Sequence, residues 1–295
     1  MKKINIYSFF LAAVLLANNY KVQAQDFGFG FKAGLNYSNL NAAAEKDDNG
    51  KAVEKFGFDY GFHVGATGSL KFTDDFGLRL ELLYSQKNST YQYDGQAFRI
   101  YQADAAKVYA TGVLKTNLLR SNSYIDIPLN AYYRVGRKLE VSAGGYFSAL
   151  VGSTATGDIT FEGKTDGGTP IVAKTLMAKY NYLSDKAGEG VASDGSSTFF
   201  ADGFNFSQPN TVGAYYDFAK KDGNFFKGVD IGLSAGLAYY FNQSLYFSLR
   251  AQYGLIDITN NNYDFQKTKS NKYTLIPRQD KDTNLTIQAS VGFGF

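Results

Sequence analysis

The sequence contains no cysteine and no tryptophan, and its only histidine is His63. Without cysteine the chain has no disulfide framework, no thiol catalysis and no zinc site built from Cys or Cys and His ligands. After the first 24 residues no run is long and apolar enough for a transmembrane helix, which needs about 20 residues. If the mature protein lies in a membrane, it must therefore cross it as a closed β-barrel.

The mature chain also lacks an excess of positive charge. The formal charge of +3 comes from Lys2, Lys3 and Lys21, and without them 27 basic residues (30 minus 3) face 27 acidic ones. Proteins that bind nucleic acid normally carry a basic excess or stripe. We therefore expect no nucleic-acid partner.

The first 24 residues have the order of a secretory signal peptide. Lys2 and Lys3 form a charged start, residues 4–17 are mostly apolar, and Val22 and Ala24 stand at positions −3 and −1 of a cleavage site. We expect cleavage after Ala24, which leaves residues 25–295 as one domain. The alternative is a retained N-terminal membrane anchor, for which the apolar stretch is short.

Strict alternation of apolar residues with small or polar ones dominates the mature chain, and this is the period of a half-exposed strand. The alternation predicts eight strands, near residues 27–39, 56–72, 76–87, 124–135, 139–151, 228–241, 245–258 and 283–295. The connections alternate between long and short, with the longest interruptions at about 88–123, 152–227 and 259–282. Residues 171–182 are a candidate for an extra hairpin arm.

This pattern predicts an all-β fold, an up-and-down antiparallel transmembrane barrel of about eight strands with long extracellular loops. Glycine is abundant (31 residues), and the faces opposite the apolar rows are rich in Gly, Ser, Ala and Thr, which suits a narrow lumen. The apolar rows begin or end in Phe and Tyr, as membrane-interface girdles do. A soluble β-sandwich or lipocalin-like barrel is the alternative. We expect the protein in the outer membrane of a Gram-negative bacterium, in contact with its lipid.

Four segments give the chain a resemblance to the PorT-like outer-membrane β-barrel proteins, also called the porin family. They are FGFKAGLNYS at residues 29–38, YIDIPL at 124–129 with YYR at 132–134, DIGLSAGL at 230–237 and the terminal VGFGF at 291–295. The resemblance implies an eight-stranded barrel of varied function, with a hint of a role in secretion. Phe293 and Phe295 look like the terminal signal that barrel-assembly machinery recognises.

On this register nine charged or titratable side chains point into the lumen. They are Lys32, His63, Arg79, Glu81, Asp126, Arg134, Glu140, Asp230 and Arg250. Charges inside a dry barrel are costly unless paired, so we expect a lumenal network of ion pairs. Such a network either rigidifies a closed barrel or forms a selective pore or a proton-sensitive gate.

His63 is a candidate for the general base of a lipid-modifying barrel enzyme. Ser69 on the same strand lies about 20 Å away at strand rise, and no serine-hydrolase spacing stands out. We therefore expect no catalytic residues, no cofactor and no metal. Two functions remain ahead of an enzyme: a closed barrel whose loops contact secretion components or extracellular ligands, and a small pore for ions or solutes.

Overall fold

The part of the chain that the structure describes consists of strands joined by turns and loops. This computed structural model describes residues 26–103, 106–188, 190 and 195–295, so the expected signal peptide lies outside the described residues. The strands are β1 (Asp26–Asn41), β2 (Glu54–Lys71), β3 (Phe76–Ala103), β4 (Ala106–Val135), β5 (Leu139–Thr165), β6 (Pro170–Asn181), β7 (Ser196–Ala201), β8 (Phe204–Pro209), β9 (Thr211–Val212), β10 (Val229–Tyr240), β11 (Leu245–Gly254), β12 (Phe265–Asn271), β13 (Thr274–Pro277) and β14 (Thr283–Gly294). In the described ranges no helix has the length and apolar character needed to cross a membrane.

Eight of these strands close into a ring of antiparallel neighbours. The order is β1, β2, β3, β4, β5, β10, β11 and β14, and β14 returns to β1. At the closing seam Gly34 on β1 lies opposite His63 on β2 and opposite Ser290 on β14. The prediction of an all-β, up-and-down antiparallel barrel of about eight strands is confirmed.

The barrel is apolar outside and polar inside. Along β11 the outward Leu249 and Tyr253 are each 47% exposed, whereas the inward Arg250 and Gln252 are buried. A water-soluble barrel has the opposite arrangement. The outer face is therefore the one that suits lipid.

Aromatic side chains stand at both ends of the lipid-facing surface. On β3, Phe76 and Tyr84 are the two ends of an exposed row that has Leu80 and Leu82 between them. The step from residue 76 to residue 84, at a rise of about 3.4 Å and a tilt of about 40°, spans roughly 21 Å. This is close to the apolar band of about 25 Å in outer-membrane barrels.

Most strand ends at the short-turn side lie within two residues of those predicted. The seventh ring strand is shorter than predicted, since β11 ends at Gly254 and not at residue 258. There the chain leaves the barrel wall to bury Ile258 in an apolar cluster with Leu40 and Phe226. The predicted loop that follows contains the hairpin of β12 and β13.

Residues 88–123, predicted as a long polar loop, instead continue β3 and β4 as one paired ladder. The pairing extends to Ala103 opposite Ala106. Odd-numbered residues of β3 stay buried in this part, and Tyr91 and Tyr93 are among them. From residue 88 to residue 94 the outward residues of β3 are all polar: Asn88, Thr90, Gln92 and Asp94. These residues face water above the lipid, so inward and outward positions still alternate but the outward residues are no longer apolar. The prediction of a loop was therefore wrong.

Strand β5 also continues past its predicted end at residue 151, and it changes its neighbour there. Up to Ala149, opposite Val229, it pairs with β10. From Thr154, opposite Asn181, it pairs with β6. A β-bulge at Val151 separates the two parts and moves the inward positions from even to odd residue numbers.

Residues 152–227, predicted as the longest interruption, therefore add strands. The extra arm expected at residues 171–182 is β6, and a further hairpin is formed by β7 and β8. We call residues 89–103, 106–122 and 153–165 together with β6 the outer sheet. The following loop packs Tyr215 and Phe226 into the mouth of the barrel, where both are buried.

Candidate functional site

The lumen near the short turns holds an arginine–glutamate cluster. Arg79 donates two hydrogen bonds to the carboxylate of Glu140, the longer at 3.0 Å, and Arg134 Nε lies 3.5 Å from the same group. The hydroxyl of Tyr240 also donates to Glu140, at 3.0 Å. The guanidinium of Arg79 lies 4.8 Å from the ring of Tyr132. The cluster joins four strands, β3, β4, β5 and β10, across the lumen.

A second cluster lies one step further from the turns, around Glu81. Lys32 Nζ on β1 is 3.3 Å from the Glu81 carboxylate, and Arg250 on β11 donates to the same carboxylate. All three residues are buried. The space between Lys32, Arg79, Glu140 and Arg250 is a cavity of only about 10 Å³. It is too small for more than about one water molecule.

His63 lies between two polar side chains, one on β1 and one on β14. Its Nδ1 is 2.8 Å from Asn36 Oδ1, and its Nε2 is 2.8 Å from Ser290 Oγ on β14. The residue order Ser–His–Asn resembles the arrangement that activates a serine nucleophile. No spacing within the sequence pairs Ser290 with His63; the two meet because β14 closes the ring next to β1. The serine and the histidine are 2% and 1% exposed, so the group is inaccessible to a substrate.

A third ionic cluster lies nearest the outer sheet. Lys87 Nζ is 3.4 Å from Asp126 and 3.5 Å from Asp230, and it lies between the rings of Tyr124 and Tyr146. All the lumenal residues predicted from the sequence thus face inwards, and every one of the charged ones has a partner. Lys87 was missed, although its odd number on β3 places it on the same face as Arg79 and Glu81.

Above the lumen, the outer sheet and the loops enclose a cavity of about 170 Å³. Eleven aromatic residues line it, among them Phe56, Tyr91 and Phe225. Its lining also includes four cationic residues, Arg99, Arg120, Lys267 and Arg278, and four acidic ones, Glu54, Asp217, Asp264 and Asp282. None of these eight was predicted from the sequence, because all of them belong to segments predicted as loops.

Three of the four cations in this cavity contact a carboxylate. Arg99 is 3.0 Å from Asp217, and Lys267 and Arg278 lie 3.3 Å and 2.6 Å from Glu54. Burial alone would raise the pKa of Glu54, but the two cations outweigh burial and hold this pKa at about 2. The Glu54 carboxylate is therefore a fixed negative charge in the wall of the cavity.

Arg120 is the exception, since none of the described residues offers it a carboxylate within ion-pair distance. It is 7% exposed, its Nε has no hydrogen-bond partner, and its guanidinium lies 4.2 Å from the Tyr91 ring and 5.7 Å from the Phe225 ring. Burying an unpaired cation costs several kcal/mol. Cation–π contacts return roughly 2 kcal/mol when desolvated. The charge of Arg120 is therefore only partly compensated by the protein.

An acidic group lies at the edge of the same cavity. One carboxylate oxygen from each of Asp264, Asp280 and Asp282 lies within 4.8 Å of the others. Burial, opposed by Arg278 and strengthened by the other two carboxylates, raises the pKa of Asp264 to about 7. Burial likewise raises the pKa of Asp282 to about 6. Arg278 Nη2 lies 2.6 Å from Asp280, so an arginine already supplies positive charge to this group.

Comparison with solved structures finds proteins of low sequence identity and low TM-score. No curated protein matches the sequence. Among solved structures, the attachment invasion locus protein Ail of Yersinia pestis is similar at 10% identity and a TM-score of 0.32, over 92% of this chain and 99% of Ail. Neisserial surface protein A has 12% identity and a TM-score of 0.31, over 90% and 97% of the two chains. The outer membrane protease OmpT of Escherichia coli has 8% identity and a TM-score of 0.26, over 93% and 99%.

A family model gives the assignment. The model described as "Outer membrane protein beta-barrel domain" matches residues 23–260, most of the chain. The match agrees with the ring of eight antiparallel strands and with its apolar outer face. The protein therefore belongs to the outer membrane protein beta-barrel domain family.

Proposed function

We propose that this protein is a closed, non-enzymatic outer-membrane barrel that acts through its outer sheet and loops. The observation that carries the proposal is the packing of the lumen. Three ionic clusters, centred on Glu140, Glu81 and Lys87, lie one above another inside the membrane-spanning ring. Their members are nearly all buried, so they support the ring from inside and leave no wide aqueous path.

The outer part offers much more surface for recognition than barrel closure needs. Beyond residue 88, β3 continues for about 15 residues, or roughly 50 Å along the strand. The outer sheet has its own apolar core, in which Tyr101, Phe161 and Phe206 pack together. A rigid scaffold that presents loops and a cavity is a common arrangement for binding.

Planar-bilayer recording tests whether the barrel is closed. We expect the refolded wild-type protein to insert without discrete conductance steps. A variant that removes the charged side chains of all three clusters should conduct, because no layer then fills the lumen. That variant is the control for insertion and detection. Reproducible steps from the wild-type protein would replace the closed barrel with the small pore, and would make the lumenal charges its selectivity filter.

The absence of enzyme activity is part of the same proposal and needs its own test. The Ser290–His63–Asn36 group has hydrogen bonds that suit a nucleophile, but its burial argues against turnover. We expect no labelling of the folded protein by a fluorophosphonate probe, and no change in membrane lipids when His63 is replaced by Ala. Labelling that disappears in Ser290→Ala would establish an enzyme instead.

We further propose that the chain is PorT-like and exported by a cleaved signal peptide. The four matching segments and the order of residues 1–24 support these two statements. N-terminal sequencing of protein from outer membranes should begin at Gln25, and a retained Met1 would favour the anchor. A role in secretion depends on the resemblance alone. Co-purification with secretion components through the outer sheet would support it, and secretion that is unchanged after gene deletion would contradict it.

A further inference from the structure

We propose that the outer cavity binds a small organic carboxylate, with its carboxylate against Arg120 and its aromatic or short alkyl body among the aromatic side chains. This inference rests on the proposed function, because it names the ligand class for the outer part of the barrel. Its test uses binding, whereas the test of the closed barrel uses conductance, so the two can fail separately.

The one cation of the cavity lining without a carboxylate partner among the described residues indicates an anionic ligand. Arg99, Lys267 and Arg278 each contact a carboxylate of the protein, whereas Arg120 contacts none among the described residues. The Nε of Arg120 also has no hydrogen-bond partner among the described residues. A planar guanidinium favours carboxylates because its N–H groups match the two oxygens.

The rest of the lining indicates that the remainder of the ligand is apolar and of limited size. Tyr91 and Phe225 lie on the guanidinium of Arg120, and Phe56, Leu114 and Leu118 continue the apolar wall. The volume of about 170 Å³ is close to that of an engineered cavity of about 150 Å³ that binds benzene. Long acyl chains and oligosaccharides are larger than this space, so the ligand is of single-ring size.

The decisive feature is the contrast between Arg120 and Arg99, which line the same cavity. Arg99 is paired with Asp217, which is itself half exposed. Replacing Arg99 by Gln therefore removes a cation that is already neutralised. Replacing Arg120 by Gln removes a cation that no carboxylate of the described residues neutralises. The two substitutions make the same chemical change and differ only in the pairing of the arginine.

The experiment measures binding of 4-fluorophenylacetate and its neutral amide by 19F NMR, with the full mature protein in lipid nanodiscs. We expect the wild-type protein and Arg99→Gln to bind the acid at least about tenfold more tightly than the amide, a difference of about 1.4 kcal/mol. Arg120→Gln should lose this preference and still bind the amide, which shows that the cavity is intact. Arg120→Lys should keep part of the preference because it keeps the charge.

Three outcomes would overturn the inference. One is equal affinity of the wild-type protein for the acid and the amide. Another is an unchanged preference in Arg120→Gln, and a third is the absence of binding to either ligand at millimolar concentration. Folding of each variant is checked by its heat-dependent shift in gel mobility. If Arg120→Gln does not fold, Arg120→Lys and the comparison of acid with amide in the wild-type protein decide the question.

Discussion

Replacement of Glu81 by Gln tests most directly whether the lumen is dry. Among the described residues Glu81 is the only carboxylate that contacts Lys32 and Arg250, and the three residues are 2%, 3% and 7% exposed. Glutamine keeps the shape of the side chain and removes its charge. The substitution therefore leaves two buried cations close together without a counter-ion.

Removing one partner of a buried ion pair costs about 3–5 kcal/mol, and we expect Glu81→Gln to lower the free energy of unfolding by that amount. Lys32→Met should lower the free energy of unfolding by less than about 1 kcal/mol, because Glu81 keeps Arg250 as its partner and this ion pair is neutral. In the double variant, which combines Lys32→Met with Glu81→Gln, Arg250 is the one cation that remains unpaired. Its cost should therefore be smaller than that of Glu81→Gln alone, with a coupling energy of at least about 1 kcal/mol.

The assay is equilibrium unfolding in urea of protein folded into lipid vesicles. The chain has no tryptophan, so far-UV circular dichroism and the gel-mobility shift replace intrinsic tryptophan fluorescence. A Glu81→Gln protein within about 0.5 kcal/mol of the wild type would refute the reasoning. It would mean that water reaches Lys32 and Arg250 and screens them, and that the lumen is open.

Three further predictions concern the loop, the wall and the terminus. The pKa of Asp264 is raised to about 7, so the stability that its protonated form contributes is present below about pH 4 and is lost as the pH rises through 7. Hydrogen exchange of residues 255–282, corrected for its intrinsic rate, should therefore increase over this pH range. The variant Asp264→Asn should remove most of that increase. Gly34→Ala should cost about 1–3 kcal/mol in the urea assay because its Cβ would lie 2.0 Å from a backbone oxygen of β14, whereas Gly68→Ala, with its nearest atom at 4.0 Å, should be neutral. Phe295→Ala should lower the fraction of folded barrel in outer membranes, whereas Phe27→Ala, at the same exposed end, should not. Equal fractions for the two variants would contradict the role of Phe295 as a terminal assembly signal.

The ring of the barrel was predictable because lipid imposes a simple pattern on each strand. Wherever the outer face meets lipid, apolar residues recur at every second position, as in β10, predicted at 228–241 and found at Val229–Tyr240. Above the lipid this constraint disappears. Asn88, Thr90 and Gln92 then resemble loop residues, although the strand and its inward face continue.

The partners of the lumenal charges were only partly predictable. Arg134 and Glu140 are on neighbouring strands joined by a short turn, so their register follows from the sequence. Glu81 contacts Lys32 on β1 and Arg250 on β11, across the lumen. Such a contact depends on the ring closure and on the stagger of its strands, and no single strand pattern carries that information.

The outer cavity was not predictable, for a related reason. Arg120 belongs to a stretch without apolar alternation, and its neighbours come from β3, from the loop after β9 and from the loop before β14. Phe225 lies more than 100 residues beyond both Tyr91 and Arg120 in the chain. Their meeting depends on β5, which separates from β10 at Val151 and leads the chain upward.

The constant register of the β3–β4 hairpin beyond Leu83 limits how this protein can change in length during evolution. One residue added to each strand would turn every later side chain to the opposite face, whereas two would restore the faces. Height above the membrane should therefore change in steps of about 7 Å along the strand, each made by paired insertions. A bulge like that at Val151 is the alternative, since it resets the faces with one residue. Descendants of this sequence should differ in this hairpin by even numbers of residues per strand, or carry a new bulge.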